Sequence, residues 1–108
     1  MKLSNQVAII TGAGRNIGEA ISKTLASEGA KVAVVDLDKR RGEKVAAEIT
    51  QAGGEAAAFV ANVAVEADIA GVVAAVVERW GRIDILINNA AISETRTSWK
   101  SPRSNGTP

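Results

Sequence analysis

The 108-residue chain has 13 Lys and Arg against 12 Asp and Glu, and its net charge of +1 gives no basic surplus that would favour nucleic acid as a partner. It lacks Cys and His, which excludes disulfides, thiolate nucleophiles, imidazole bases and Cys/His metal sites. Its apolar runs are too short for a membrane span or a signal-peptide core, so we expect one small, soluble, cytoplasmic domain.

The first half of the chain predicts two strands and two helices. Residues 7–10 are apolar on both faces, as expected of a strand buried in a parallel sheet. From Ile17, apolar residues recur on one helix face, and Gly29 is well placed to end that helix. Residues 31–36 predict a second buried strand, and a second amphipathic helix then ends at residues 53–54.

The second half continues the alternation. Residues 56–61 predict a weaker third strand, residues 69–80 have the apolar spacing of an amphipathic helix, and residues 83–88 predict a fourth strand. The order βαβαβαβ predicts an α/β fold with a doubly wound parallel sheet over residues 1–92. If the sheet stops after this strand, the strand lies at an edge, and we expect self-association there.

A glycine-rich segment, TGAGRNIG, joins the first strand to the first helix. Gly12, Gly14 and Gly18 tolerate unusual backbone angles and let a ligand approach the backbone, where the N–H groups of the helix start attract a pyrophosphate. The spacing matches neither G-x-G-x-x-G nor a P-loop. A tight strand-to-helix turn without a ligand is the alternative interpretation.

Two further features favour a dinucleotide site. Asp36 ends the second strand, where its carboxylate can accept hydrogen bonds from the ribose hydroxyls of an adenosine. Its alternative role is a helix N-cap, which Asp38 can serve as well. Asn88 and Asn89 close the fourth strand beside the place where the strand order reverses, and unpaired buried amides there would be costly.

Taken in order, residues 5–92 resemble the N-terminal half of the short-chain dehydrogenases/reductases, Rossmann-fold oxidoreductases that use NAD or NADP. The resemblance rests on TGAGRNIG for the family's T-G-x-x-x-G-x-G, on VVDLD after the second strand, and on NNAA for N-N-A-G. It implies a Rossmann-type fold and hydride transfer between a nicotinamide and an alcohol or ketone substrate.

The resemblance also implies which residues bind the dinucleotide: Gly12, Gly14, Arg15, Asn16, Ile17, Gly18, Asp36, Leu37, Asn62, Val63, Asn88 and Ala90. By this resemblance, the six residues from Gly12 to Gly18 surround the dinucleotide at the glycine loop. Asp36 and Leu37 hold the adenosine ribose, and Asn62 and Val63 hold the adenine. Asn88 and Ala90 lie along the nicotinamide side, and Asn88 also ties the sheet together.

Four positions depart from the family pattern. Asn16 replaces the second glycine, where its side chain can crowd the pyrophosphate, although Asn tolerates positive φ better than most residues. Asn62 replaces an aspartate that meets the adenine amino group. Ala64 replaces a hydroxyl cap before the third helix, at a cost of about 1 kcal/mol, and Ala91 replaces the last glycine of N-N-A-G.

The choice between NAD and NADP depends on charge. Asp36 would repel a 2′-phosphate, which favours NAD over NADP. Arg15, Arg40 and Arg41 argue for NADP, although the last two are more simply read as a solvated helix start.

The family's catalytic Ser and Tyr-x-x-x-Lys have no counterpart in these residues. The chain contains no Tyr at all, and Ser93, Ser98 and Lys100 come too early to match. We therefore expect that this chain is a fragment of such an enzyme and that it contains no catalytic residue. The alternatives are a catalytically silent dinucleotide-binding or partner-binding module and, ranked last, a methyltransferase, because residues 9–11 lack the acidic residue usual late in its first strand.

Residues 93–108 form a polar tail that we expect to be disordered. When the third base of each codon is combined with the next two bases, the tail permits a sequence such as FLEITPKQWD, similar to the FLEITxxxWDxV common in the family at this place. A reading frame that slipped between Ile92 and Ser98 would explain the tail, and a natural disordered terminus is the alternative.

Overall fold

The computed structural model describes residues 2–14 and 16–89, in which three helices pack against four parallel strands. The elements in chain order are β1 (Val7–Thr11), α1 (Asn16–Ser27), β2 (Lys31–Asp36), α2 (Lys39–Gln51), β3 (Glu55–Val60), α3 (Glu66–Trp80) and β4 (Ile85–Asn88). The predicted α/β fold and its element order are confirmed. The polar tail of residues 93–108 lies outside the described residues.

The strands are ordered β3-β2-β1-β4, and every neighbouring pair is parallel. The chain builds outward from β1 to β3 and then crosses back to add β4 on the other side of β1, so the strand order reverses between β1 and β4. In a parallel sheet all carboxyl ends lie at one edge, here at Thr11, Asp36, Val60 and Asn88. Ligands of doubly wound folds bind at this edge, next to the reversal.

Two apolar clusters cover the two faces of the sheet. Because successive strand residues point to opposite faces, Ala8 and Ile10 join the cluster with α1 and α2, whereas Val7 and Ile9 join the cluster with α3. All of β1 is buried, as the sequence predicts for a central strand of a parallel sheet.

β4 lies at an edge of the described sheet, as expected if the sheet stops after this strand. Ile85 and Ile87 are half-buried against the cluster of α1 and α2, but Leu86, on the opposite face, is 61% exposed. The reason is position, because β4 pairs with β1 on one side and no strand among the described residues pairs with its other side. An apolar sequence therefore occupies an edge of the described sheet.

β4 also begins two residues later than predicted, after a polar contact that fixes its start. Asp84 Oδ2 accepts a hydrogen bond of 2.8 Å from the Val7 N–H, and the Asp84 N–H donates to the Val7 carbonyl at 2.8 Å. The Arg82 guanidinium, 2.7 Å from Asp84 Oδ1, and then the Val7 N–H lower the pKa of Asp84. The Asp84 carboxylate thus anchors β4 to β1.

The third helix is only partly covered along its predicted apolar face. Val72 and Val76 are buried in the second cluster, whereas Val73 and Val77 remain exposed. The helix begins after Val65, an N-cap residue whose side chain makes no capping hydrogen bond. As expected from the sequence, α3 has no hydroxyl side chain as its N-cap. The N-cap position is Val65, one residue later than the expected Ala64.

Candidate functional site

The glycine loop between β1 and α1 depends on backbone angles that few residues adopt. Gly12 has a φ of 62° and Asn16 a φ of 54°, both in the left-handed region. Asn is among the non-glycine residues best suited to that region, so Asn16 adopts this backbone angle at a lower cost than most side chains would. A Cβ on Gly18 would lie 2.1 Å from the Gly12 carbonyl oxygen, so this close approach of α1 to the loop requires glycine.

Asp36 lies between the glycine loop and the start of α2. It is buried, and its Oδ2 accepts a hydrogen bond of 2.8 Å from the Gly14 N–H while its Oδ1 accepts one of 2.8 Å from the Asp38 N–H. The N-cap of α2 is Asp38, whose side chain accepts from the N–H groups of Arg40 and Arg41. The alternative in which Asp36 caps the helix is therefore wrong.

The two asparagines after β4 connect that strand to β1 and to the glycine loop. The Thr11 hydroxyl donates to Asn88 Oδ1 at 2.8 Å, so Asn88 ties β4 to β1 as expected. Asn89 is buried, and its Nδ2 donates to the Gly12 carbonyl at 3.3 Å. Sequence reasoning left Asn89 out of the site, although two adjacent asparagines at the end of an apolar strand were the signal that could have found it.

Asn62 uses its side-chain oxygen locally. Its Oδ1 accepts a hydrogen bond of 2.9 Å from the Ala64 N–H, and its own N–H donates to Asp68 Oδ2 at 3.0 Å. This is an Asx turn that shapes the entry to α3. Val63 lies half-buried in the same turn. An adenine at this place would meet a side-chain amide donor more readily than an acceptor.

Large apolar side chains are exposed along the carboxyl edge of the sheet. Ile17, in the first turn of α1, is 67% exposed, and Leu37, directly after Asp36, is 68% exposed. Val60 at the end of β3 is exposed as well. These side chains therefore leave apolar surface exposed at this edge. The predicted residues Arg15 and Ala90 lie outside the described residues.

The described groups fit the parts of a dinucleotide. The first-turn N–H groups of an α-helix such as α1 lack intrahelical partners, which is the arrangement that binds a pyrophosphate at helix N-termini. Asp36 adds an acceptor for a ribose. In the part of the chain that the structure describes, no group of three metal-ligating side chains occurs and no helix is both long and apolar enough to cross a membrane.

The parallel sheet, its reversal beside β1 and the glycine loop at the carboxyl edge together define a Rossmann-type nucleotide-binding fold. A model of the short chain dehydrogenase family matches residues 6–105. The chain belongs to this family of oxidoreductases, and the resemblance found from the sequence is confirmed.

Two curated relatives show different coverage. The chain is 49% identical over 92 residues to galactitol 2-dehydrogenase from Agrobacterium fabrum, an alignment that covers 85% of this chain and 35% of that protein. It is 39% identical over 94 residues to the short-chain dehydrogenase/reductase homolog YusS from Bacillus subtilis, with 86% of both chains covered. The chain spans between a third and two-fifths of the length of the first relatives it matches.

Two solved structures share the fold. A metagenomic short-chain oxidoreductase in complex with NADP has a TM-score of 0.76 and 40% identity, with 80% of this chain and 39% of that chain covered. A 7 alpha-hydroxysteroid dehydrogenase complexed with NADH and 7-oxo glycochenodeoxycholic acid has a TM-score of 0.77 and 36% identity, with 79% of this chain and 33% of that chain covered.

Proposed function

We propose that this chain is the dinucleotide-binding part of an NAD-dependent short-chain dehydrogenase. The observation that carries the proposal is the Asp36 carboxylate, placed against the glycine loop at the carboxyl edge of the sheet. The loop, Ile17 and the start of α1 surround the pyrophosphate, and Asp36 with Leu37 holds the adenosine ribose. Arg15, Val63 and Ala90 are proposed cofactor contacts on the resemblance alone, and a cytoplasmic location stays a prediction.

NAD rather than NADP is proposed because a 2′-phosphate would meet the Asp36 carboxylate. Relatives of this fold include complexes with NADP and with NADH, so the family alone does not choose between them. Isothermal titration tests the proposal: replacing Asp36 by Ala should weaken NAD binding more than NADP binding. An equal loss for both would remove Asp36 from the ribose.

The proposed reaction is hydride transfer between the nicotinamide and an alcohol or ketone substrate, as the names of the dehydrogenase relatives suggest. The nicotinamide supplies the hydride acceptor or donor when it is bound. These 108 residues contain no Tyr, His or Cys to exchange a proton with the substrate oxygen. We therefore propose that the chain contributes cofactor binding and not the proton donor.

The absence of tyrosine from these 108 residues favours a second candidate function for the isolated polypeptide. In this alternative, the polypeptide is a catalytically silent module that binds a dinucleotide or a partner. β4 is its proposed contact surface, because it combines an unpaired outer side among the described strands with the exposed Leu86. Light scattering over a range of concentrations tests self-association. A strictly monomeric species with a concentration-independent melt would contradict it.

A further inference from the structure

The Asp36 carboxylate accepts hydrogen bonds from two separate backbone segments of the chain itself. We infer that Asp36 is a positioning residue for the glycine loop, in addition to its proposed contact with the ribose. Its consequence for ligand binding rests on the proposed function, whereas its effect on the loop does not.

The hydrogen bonds form a continuous series from the loop to α2. The Gly14 N–H donates to Asp36 Oδ2 across 22 positions of sequence, in a buried setting, and the Asp38 N–H donates to Asp36 Oδ1. Asp38 then accepts from the N–H groups of Arg40 and Arg41. Of these bonds, only the one from Gly14 reaches the loop, so Asp36 is the residue that joins the loop to this series.

The contact at Gly14 is close on both sides. A Cβ added to Gly14 would lie 2.6 Å from Asp36 Oδ2 and 2.6 Å from Arg41 Cβ, distances that side chains do not tolerate. The loop therefore packs directly against the carboxylate and against the first turn of α2. Glycine at position 14 is needed for the hydrogen bond to Asp36 to form.

Holding the loop leaves the carboxylate able to bind a ribose. An ionised carboxylate has about four lone-pair positions, and the Gly14 and Asp38 N–H groups occupy two of them. The remaining positions can accept from ribose hydroxyls. Because the loop is already held, its N–H groups need less ordering when a pyrophosphate arrives, which favours binding.

Inorganic pyrophosphate separates the two roles because it contains no ribose. We would compare the affinity of pyrophosphate for Asp36→Ala with its affinity for the control Asp38→Ala. The control removes one negative charge from the same region and two hydrogen bonds to backbone N–H groups, neither of which belongs to the glycine loop. Because Asp36→Ala loses the contact with the loop, it should bind pyrophosphate about tenfold more weakly than Asp38→Ala does. A factor of this size corresponds to one hydrogen bond to a charged group. Equal affinities would overturn the inference.

A ligand-free measurement keeps the test independent of the proposed function. Amide hydrogen exchange of Gly14 should be at least tenfold faster in Asp36→Ala than in wild type or in Asp38→Ala. Asp36→Leu, which is close to Asp in shape but offers no acceptor oxygen, serves if the alanine variant does not fold. Unchanged exchange at Gly14 would overturn the positioning role. If wild type binds neither pyrophosphate nor NAD, the proposed function fails while the exchange result still decides the role of Asp36.

Discussion

Two glycine-to-alanine substitutions are expected to change stability in opposite directions. Gly71 lies within α3, and a Cβ there would meet no atom within 4 Å. Alanine should therefore add only its helix propensity, about 1 kcal/mol. For a domain of this size, that gain should raise Tm by roughly 4–8 °C.

Gly18 also lies in a helix, but its Cβ would fall 2.1 Å from the Gly12 carbonyl oxygen, 2.8 Å from the Gly12 carbonyl carbon and 2.9 Å from Asn89 Nδ2. Two of these atoms are backbone, so the contact can be relieved only if the loop and α1 move apart. Overpacking of this kind costs about 1–3 kcal/mol or more, which exceeds the propensity gain. We expect Gly18→Ala to lower Tm and to weaken NAD binding.

Thermal melts followed by circular dichroism, with urea titrations for the free energy of unfolding, measure both variants against wild type. Because both substitutions gain the same helix propensity, the expected difference between the two variants is the overpacking cost itself, about 1–3 kcal/mol or more. Equal stability of Gly18→Ala and Gly71→Ala would refute the close packing of α1 on the glycine loop.

Three further predictions concern the strand edge and the chemistry. Because Arg82 and the Val7 N–H lower the pKa of Asp84, its stabilising contribution is present above the unfolded pKa of about 3.9 and is lost as pH falls through the lower folded value. Acid titration should therefore destabilise wild type more than Asp84→Asn, and parallel curves would contradict this. Leu86→Lys should reduce concentration-dependent light scattering, whereas Val77→Lys on α3 provides a control for added charge. The purified 108-residue chain should show no sustained NADH-linked turnover of alcohols or ketones, and such turnover would require a proton donor other than Tyr, His or Cys.

The sequence predicts the fold well because a parallel sheet buries both faces of its strands. Residues 32–35 are apolar on both faces between Lys31 and Asp36, and the predicted bounds of residues 31–36 match β2 to the residue. The edges are harder to predict. β4 was expected to start at Ile83, but that side chain packs in the second cluster, and the strand begins only after Asp84 has bonded Val7.

The candidate site is predictable where the signal is local. Glycines at a strand-to-helix turn and an aspartate at a strand end are visible in the sequence. The bond between Gly14 and Asp36, like the contact of Asn89 with Gly12, joins residues far apart in the chain, and no spacing rule predicts it. The exposure of Leu86, by contrast, follows from the edge position expected for the fourth strand.

Titration of the isotopically labelled chain with NAD, followed by amide chemical shifts, tests the central claim most directly. The claim predicts saturable changes centred on Gly12, Gly14, Gly18 and Asp36 at the carboxyl edge of the sheet. Absence of saturable changes, or changes confined to the opposite edge near Glu55, would contradict it.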